Sequence, residues 1–209
     1  MLKVSLESEM KERHRIAADL HDSVCGDLTA IKFYLEHLNS KNKNEDSRQV
    51  ISEISESLNN ALENTRAVSY KLMPPLLETM GLCAALEDYC RRLSAKTSKS
   101  FTVQCHASPV LDNAVSYELF RVIQEFTTNM LKYGNITQCI LNVSNSSGLL
   151  TITITDDGIA YNFSELAESG NGAGLRNIKS RLKVVHATLE QQAVAQGNQF
   201  TITLKNSPC

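Results

Sequence analysis

The hydrophobic pattern of the chain changes once, near the paired prolines Pro74 and Pro75. Before the prolines, apolar residues recur every three or four positions, which is the spacing of one helical face. The first run is Ile16, Leu20, Val24, Leu28, Ile31, Leu35 and Leu38. After a polar turn at 39–44, the second run is Val50, Ile54, Leu58, Ala61, Val68 and Leu72. The pattern predicts a hairpin of two long helices that the prolines end.

Each predicted helix carries a narrow apolar stripe that a single hairpin cannot bury on both sides. Pairing with a second copy of the chain into a four-helix bundle would cover both stripes. Packing of the hairpin on the remainder of its own chain is the alternative. We expect a homodimer and place the first domain, a dimerisation domain, at residues 1–75.

Residues 76–209 combine helical and strand periodicities, and we assign them to a second domain. Helical spacing predicts helices over 77–99, 112–132 and 175–186. Period-two alternation predicts strands at 101–105, 140–143, 150–155, 188–194 and 200–204. Because the order is not a βαβ alternation, we expect a two-layer α/β sandwich with a mostly antiparallel sheet. The predicted fold class of the whole chain is therefore α+β.

Composition and charge argue against several classes of protein. The formal net charge is -2 and no basic patch is evident, so direct nucleic-acid binding has little support. No apolar run approaches the roughly 18 residues of a membrane span, so no membrane contact is expected within this chain. The six cysteines form no CxxC pair, and we interpret them as reduced, mostly buried thiols of a cytoplasmic protein.

The first candidate for chemistry is the pair His21 and Asp22, at the edge of the first apolar stripe. A neutral imidazole nitrogen is nucleophilic near pH 7, so His21 can accept a phosphoryl group. Asp22 can hold the other ring nitrogen as N–H and take up a proton. The pair alone is weak evidence, because a solvated His-Asp pair on a helix surface has the same sequence.

Further candidates lie in the second domain. Glu125, Asn129 and Lys132 are spaced i, i+4, i+7 on one predicted helical face, where Asn129 can offer an oxygen to Mg²⁺ and Lys132 a charge to phosphate. A plain solvent face would show the same spacing. Asp156 follows a predicted strand, where a carboxylate can accept a hydrogen bond from an adenine amino group. Gly158 then lets the backbone turn closely, although an ordinary Asp-Gly turn fits equally.

A glycine-bearing loop precedes the last predicted helix and includes Gly170, Gly172 and Gly174. Glycines at a helix start leave N–H groups free at the positive end of the helix dipole, which is a binding site for phosphates. A flexible surface loop is the alternative interpretation.

Taken in order, these segments resemble a known family. Residues 17–22 resemble the phosphoacceptor box of two-component sensor histidine kinases whose acceptor is followed by Asp. Residues 125–132, 156–158 and 172–178 resemble the N box and the two glycine boxes of the gyrase/Hsp90/histidine-kinase/MutL ATP-binding fold. Residues 72–76 and 81–86 resemble the join between the two domains, and 197–204 the closing strand. The resemblance covers residues 12 to 204.

The resemblance implies an ATP-dependent protein-histidine kinase that phosphorylates His21 and passes the phosphoryl group to the receiver domain of a response regulator. It implies Asp22 as the orienting base and Glu125 as a residue that orders water near Mg²⁺. The Mg²⁺ ligand would be Asn129 and the adenine contact Asp156. Lys132, Gly158, Gly172 and Gly174 complete the implied ATP site. The chain is then cytoplasmic, or the cytoplasmic part of a longer membrane-bound sensor.

Three positions depart from the family pattern. Tyr133 stands where the family usually has His or Arg, and Ala160 replaces a glycine of the first glycine box. Gly26 stands where close relatives have a Gln associated with dephosphorylating the partner. These departures leave a second hypothesis open, that the chain is a degenerate, non-catalytic dimeric scaffold or phosphorelay protein that docks a receiver domain. A stand-alone ATPase of the same superfamily would not explain the helix that carries His21.

Overall fold

The computed structural model describes residues 2–42, 44–106, 109–168 and 173–205. The chain divides into two compact units, Met1–Pro75 and Leu76–Cys209. No helix in these described ranges is both long and apolar enough to cross a membrane.

The first unit is a helical hairpin. Helix α1 (Leu2–Asp19) continues through a π-helical turn (Leu20–Val24) into α2 (Cys25–Lys41), and α3 (Glu45–Leu72) returns along them. Asn44 caps α3, because its side chain accepts a hydrogen bond from the Ser47 amide at 3.3 Å. Helix α3 ends at the residue before Met73, which is extended (ψ 118°) as expected before a proline. The predicted hairpin is therefore present, with a π-turn that the apolar spacing did not reveal.

The apolar stripe of the first helix divides into a covered and an open half. Leu20, Leu28 and Leu35 are half-buried within the hairpin. The stripe residues that stay exposed are Ile16, Val24, Ile31 and Leu38. On α3, Val50, Ile54 and Val68 are exposed as well. One hairpin thus leaves an apolar face on both of its helices.

The second unit is built on a five-stranded sheet in the order β1-β2-β3-β5-β4. Its strands are β1 (Ser100–Cys105), β2 (Gln138–Ser146), β3 (Leu149–Asp156), β4 (Thr188–Gln192) and β5 (Asn198–Lys205). Only β1 and β2 run parallel, and every other neighbouring pair is antiparallel. The prediction of a mostly antiparallel sheet is confirmed.

Helices cover one face of this sheet. They are α5 (Gly81–Thr97), α6 (Asn113–Asn129), α7 (Phe163–Glu168) and α8 (Ala173–Val184), with a π-helical turn at Met130–Gly134. The short helix α4 (Pro75–Thr79) begins at the boundary between the two units. Phe126 of α6 packs on Phe200 of β5 with ring centroids 4.9 Å apart, and both side chains are fully buried. Alternate strand residues such as Ile152 and Ile154 complete the core, while the threonines between them line the half-exposed opposite face. The two-layer sandwich is therefore confirmed.

The helix predicted over 77–99 is interrupted. Helix α4 ends at Thr79, and α5 begins at Gly81, whose φ of +80° belongs to the left-handed region. Glycine adopts this conformation without a steric cost, so the chain can turn between the two helices. A periodicity argument alone cannot detect such a break, because the apolar spacing continues across it.

The expectation that all cysteines are reduced is wrong for two of them. Cys83 in the first turn of α5 and Cys105 at the end of β1 form a disulfide with a Cα–Cα distance of 6.2 Å. Their sequence separation of 22 residues gave no sign of the pairing, which arises because α5 packs on β1. The buried thiols Cys25, Cys90 and Cys139 are free, as expected. Cys209 lies outside the described residues.

Candidate functional site

His21 and Asp22 lie in the π-helical turn between α1 and α2. The turn is closed by a hydrogen bond from the Cys25 amide to the Leu20 carbonyl, five residues earlier. Single π-turns inside helices occur frequently at functional sites. Both side chains are exposed, so the imidazole of His21 is accessible from solvent.

The surroundings of this turn place acidic groups close to the histidine along the helix. Arg15 forms ion pairs with Glu12 at 2.7 Å and with Asp19 at 2.9 Å. These pairs hold Asp19 directly before the π-turn, and Asp22 is the neighbour of His21 within it. Gly26 follows shortly after, and a Cβ at that position would meet nothing within 4 Å. The glycine is therefore not required by packing within this hairpin.

In the second unit, Glu125 and Asn129 face the first turn of α8. A Cβ on Gly174 would lie 2.5 Å from Glu125 Oε1 and 3.1 Å from both side-chain polar atoms of Asn129. Any larger residue at position 174 would therefore collide with these side chains. The structure thus brings together three of the predicted site residues. Gly172 and Gly170 lie outside the described residues.

Lys132 lies in the π-turn that follows α6, not in the α-helix itself. The strict i, i+7 relation to Glu125 that the spacing predicted is therefore not kept, because the widened turn changes the rotation per residue. Lys132 and Tyr133 are both exposed, Tyr133 to 75%. Asn135, with φ 48°, ends the turn.

The π-turn is joined to the loop after β3. The amide of Ile159 donates to the carbonyl of Gly134 at 2.7 Å. A Cβ on Gly158 would overlap that same carbonyl oxygen and the side chain of Ile136. Gly158 is therefore needed for close approach of two backbones, which places the end of the α6 segment beside Asp156.

Asp156 is the buried carboxylate of the site, with 3% of its surface exposed. Its Oδ1 accepts hydrogen bonds from the Gly158 amide at 2.9 Å and from Asn198 Nδ2 at 3.1 Å. Its Oδ2 is buried and has no hydrogen-bond partner among the residues that the structure describes. Burial raises the pKa of Asp156, and the two hydrogen bonds oppose that rise. One carboxylate oxygen is thus held while the other can accept a bond from a ligand.

Asp157 has a different role from its neighbour. Its Oδ1 accepts from the amides of Thr137 at 2.8 Å and Gln138 at 2.9 Å, and its Oδ2 bonds the Thr137 hydroxyl. Burial alone would raise the pKa of Asp157, but these hydrogen bonds outweigh it and lower the pKa to about 2. Asp157 therefore fastens the loop to the start of β2, and Asp156 is the residue left to meet a ligand.

Asn198 belongs to the site but was not among the predicted residues. It is 2% exposed, and its Nδ2 donates to Asp156 Oδ1 and to the Ile159 carbonyl at 3.0 Å. Its Oδ1 accepts from the Tyr161 amide at 3.0 Å. Asn198 thus orients the carboxylate and holds the loop that leaves it. The sequence could have indicated it, because Asn198 alternates along β5 with Phe200 and Ile202, whose side chains lie in the core. A polar residue on such a face needs buried partners.

Gly197 also supports Asp156. Its φ is +75°, and a Cβ there would overlap the carbonyl group of Asp156. The glycine allows β5 to approach the end of β3, so that Asn198 can reach the carboxylate.

Helix α8 completes the site through its N-terminal end. Arg181 donates to Glu118 of α6 at 2.7 Å, and the two side chains are 28% and 10% exposed. This ion pair fastens α8 to α6 and thereby keeps Gly174 beside Glu125. Asn129 Nδ2 is buried and has no partner within the described ranges. A helix start of this kind attracts anions such as phosphate groups.

The arrangement has the chemical features of a nucleotide site. A buried acceptor with one open lone-pair oxygen suits an amino group on a heterocycle. The N–H groups at the start of α8 suit phosphate oxygens, and the neighbouring amide and carboxylate on α6 suit a hard cation. The described part of the chain contains no group of three or more His, Cys, Asp or Glu side chains that could hold a metal ion by themselves. Mg²⁺ fits this donor set because it usually binds with few protein ligands, together with waters and substrate phosphates.

Two family models match the chain. Residues 12–77 match a model described as histidine kinase. Residues 114–208 match the histidine kinase-, DNA gyrase B- and HSP90-like ATPase model. The first match covers most of the first unit and ends two residues beyond it, and the second match lies in the second unit.

Known relatives agree with the two models. Sensor histidine kinase MctS of Rhizobium johnstonii is 25% identical over 206 residues, which is 97% of this chain and 45% of the relative. Sensor histidine kinase ComP of Bacillus subtilis is 26% identical over 207 residues, 95% of this chain and 26% of the relative. The chain therefore spans less than half the length of these relatives.

Solved structures agree at the level of the fold. The histidine kinase domain from the Erythrobacter litoralis EL346 blue-light activated histidine kinase superposes with a TM-score of 0.53 at 17% identity. The match covers 87% of this chain and 94% of that domain.

Proposed function

Because the chain belongs to the sensor histidine kinases, we propose that it transfers the γ-phosphoryl group of ATP to His21 and then to an aspartate of a response regulator. Residues 1–75 would serve as the dimerisation and histidine phosphotransfer domain, and residues 76–209 as the catalytic ATP-binding domain. Phosphoryl transfer requires chiefly positioning and charge neutralisation, which this pair of sites is suited to provide.

The observation that carries the proposal is the open oxygen of Asp156. Asp156 Oδ2 is buried and lacks a partner among the described side chains and backbone groups. The other oxygen of the same carboxylate, Oδ1, accepts two hydrogen bonds. A buried acceptor without a donor costs about 1–3 kcal/mol, so a ligand that supplies the donor gains that amount. The exocyclic amino group of adenine is such a donor. Gly158 and Gly197 let the flanking backbones pack closely around Asp156 and so fix the position of its carboxylate.

The phosphate end of ATP would lie at the start of α8, against Asn129 and Glu125. Bound Mg²⁺ would supply neutralisation of the phosphate charge, with the Asn129 side-chain oxygen as its protein ligand. Glu125 would order water beside the cation. Gly174 keeps the helix start within reach of both side chains. Lys132 is exposed on the π-turn and would add a positive charge near the phosphates.

His21 would act as the nucleophile through a neutral ring nitrogen. Its exposure leaves the imidazole open to attack on a phosphoryl group, and Asp22 in the same π-turn is the candidate for holding the other ring nitrogen as N–H. The lone pair of the attacking nitrogen forms the N–P bond as the bond to the ADP oxygen breaks.

The partners follow from the open faces of the hairpin. Apolar side chains exposed on both helices, including Ile31 and Ile54, support a homodimer in which two hairpins form a four-helix bundle. The solvent-exposed His21 supports access by a receiver domain. We place the chain in the cytoplasm.

The departures at Tyr133 and Ala160 do not weaken the proposal. Both residues are exposed and neither lies among the buried contacts of Asp156. A non-catalytic scaffold would not require an open acceptor held by Asn198. The geometry therefore favours a working nucleotide site.

Incubation of the chain with γ-labelled ATP and Mg²⁺ tests the proposal. We expect label that is lost in acid and retained in base, as for phosphohistidine, and no label in His21→Gln. His14→Gln is the matched control, since it changes another exposed histidine of the same helical segment and should label normally. Acid-stable label, or full labelling of His21→Gln, would contradict the assignment.

A further inference from the structure

Two cysteines that no part of the ATP site uses are paired in the second unit. Cys83 lies in the first turn of α5, and Cys105 is the last residue of β1. Their Cα atoms are 6.2 Å apart, within the ordinary range of 4.4–6.8 Å for a disulfide. The bond joins a helix to the strand on which it packs, so neither element must move to form it.

The position of the pair makes it reachable. Strand β1 is an edge strand, because it has β2 as its only neighbour in the sheet. Cys105 is half-buried at the end of this strand, so it is the more accessible member of the pair. Cys83 is more covered, with 5% of its surface exposed. An attacking thiol or disulfide would therefore meet Cys105 first.

Two of the three free cysteines of the described ranges, Cys90 and Cys139, contrast with this pair. Cys90 and Cys139 are both 1% exposed. Burial raises the pKa of the Cys90 thiol to about 12 and raises that of Cys139 as well. The thiolate is the reactive form, so these two side chains are protected both by burial and by protonation. Cys90 and Cys139 should therefore react more slowly than the Cys83–Cys105 pair.

We propose that Cys83 and Cys105 form a reversible redox site, which low-molecular-weight disulfides close and small thiols open. In a reducing compartment, disulfides are usually transient or redox-sensing, so a pair with one half-buried member fits that use if the chain lies in the cytoplasm, as proposed above. Closure would fix the first turn of α5 on the end of β1.

The reaction balances with a small disulfide such as oxidised glutathione. The Cys105 thiolate attacks the small disulfide, forms a mixed disulfide and releases one small thiol. The Cys83 thiolate then attacks the sulfur of Cys105 and releases the second small thiol. The protein loses two electrons and two protons, and the small disulfide gains them as two thiols.

The closed bond would stabilise the support behind α6. Helix α5 contacts α6 through Tyr89, whose hydroxyl lies 2.7 Å from Thr127 Oγ1 and whose ring packs edge-on against Phe120. Thr127 is two residues before Asn129. Fixing α5 at its first turn therefore resists unfolding of the layer that carries the predicted Mg²⁺ ligand, without any change to the ligand contacts themselves.

The test uses the full chain, first reduced and then equilibrated with mixtures of oxidised and reduced glutathione. We expect the protein to lose two of its six thiols, counted after denaturation. Tryptic digestion without reductant should yield peptide 72–91 linked to peptide 100–121. The melting temperature of the second unit should rise by about 10 °C on oxidation, because the bond closes a loop of 22 residues.

Variants separate the pair from the other thiols. Cys90→Ser lies on the same tryptic peptide as Cys83 and should keep both the linked peptides and the thermal shift. Cys83→Ser and Cys105→Ser should each abolish both, and the reduced wild-type protein is the reference for their folding. The proposal is overturned if all six thiols persist at high oxidised glutathione or if the linked peptides survive in Cys83→Ser. The proposal is also overturned if a non-reducing gel shows a cross-link between two chains, or if oxidation leaves the melting temperature unchanged.

Discussion

Replacing Asp156 by Asn should separate nucleotide binding from stability. The substitution keeps Oδ1, which accepts bonds from Gly158 and Asn198. It replaces the open Oδ2 by an amino group, which donates rather than accepts. The adenine amino group would then face another donor and lose its partner.

The expected loss of affinity follows from that single hydrogen bond. Leaving a buried donor unpaired costs about 1–3 kcal/mol. Since 1.4 kcal/mol is a factor of ten, the dissociation constant of Mg-ATP should rise by roughly 5- to 150-fold. The same loss is expected for ADP and for adenosine, because every adenine nucleotide uses the contact.

Stability should respond in the opposite direction. Burial raises the pKa of Asp156, so the folded protein binds the carboxyl proton more tightly than the unfolded chain does. Stability therefore falls as the pH rises from about 4 through the raised pKa, and the ionised carboxylate is a cost at pH 7. Asp156→Asn removes that charge. We expect the melting temperature of the ligand-free variant at pH 7 to be equal to or above that of the wild type.

Asp157→Asn is the matched control one residue away. The hydrogen bonds from Thr137 and Gln138 lower the pKa of Asp157, so its carboxylate contributes stability that is lost as the pH falls from about 4 towards 2. This variant should melt at a lower temperature at pH 7 and bind Mg-ATP normally. Calorimetric titration measures the nucleotide affinity of both variants, and thermal melting measures their stability. Wild-type affinity for adenosine in Asp156→Asn would refute the reasoning.

Three further predictions concern other parts of the molecule. Asn129→Ala should lower His21 labelling far more than adenosine binding, and equal losses of both would contradict its role at the phosphates. Ile31→Glu, at a side chain 46% exposed in one hairpin, should give monomers or unfolded chain by sedimentation and circular dichroism; a wild-type monomer at tens of micromolar would contradict the bundle. Gly26→Gln should speed dephosphorylation of the receiver with ADP absent, because glycine has no side-chain amide that could hold a water. Fast dephosphorylation by the wild-type protein would contradict this prediction.

Periodicity predicted most of the elements because the two units bury their faces regularly. The alternation in Leu150, Ile152 and Ile154 is the inner face of β3, and the helical spacing of Ile123 and Phe126 is the core face of α6. Such patterns predict which face of a helix or strand is buried. They do not report local changes of the backbone, so the break at Gly81 and the two π-turns were missed.

The missed residues act through contacts between distant segments. Asn198 is 42 positions from Asp156, and Cys83 is 22 from Cys105. A sequence places residues on faces, but it does not say which faces meet. Asp156 and Gly158 were found because they are adjacent in the chain and share one turn. Their support from Asn198 could be seen only once β3 and β5 were paired.

Each of the two π-turns carries or adjoins predicted functional residues. One turn carries His21 and Asp22, and the other directly follows Asn129 and carries Lys132. In the second case the Gly134 carbonyl at the end of the turn accepts from the Ile159 amide, so the turn supports the loop that follows Asp156. The last carbonyls of a helix have no partner within it, so the Ile159 amide satisfies a group that the helix end leaves free. The departure from ideal helix geometry is thus tied to the close packing that Gly158 permits, and a residue with a Cβ at position 158 would disturb both the π-turn and the loop of Asp156.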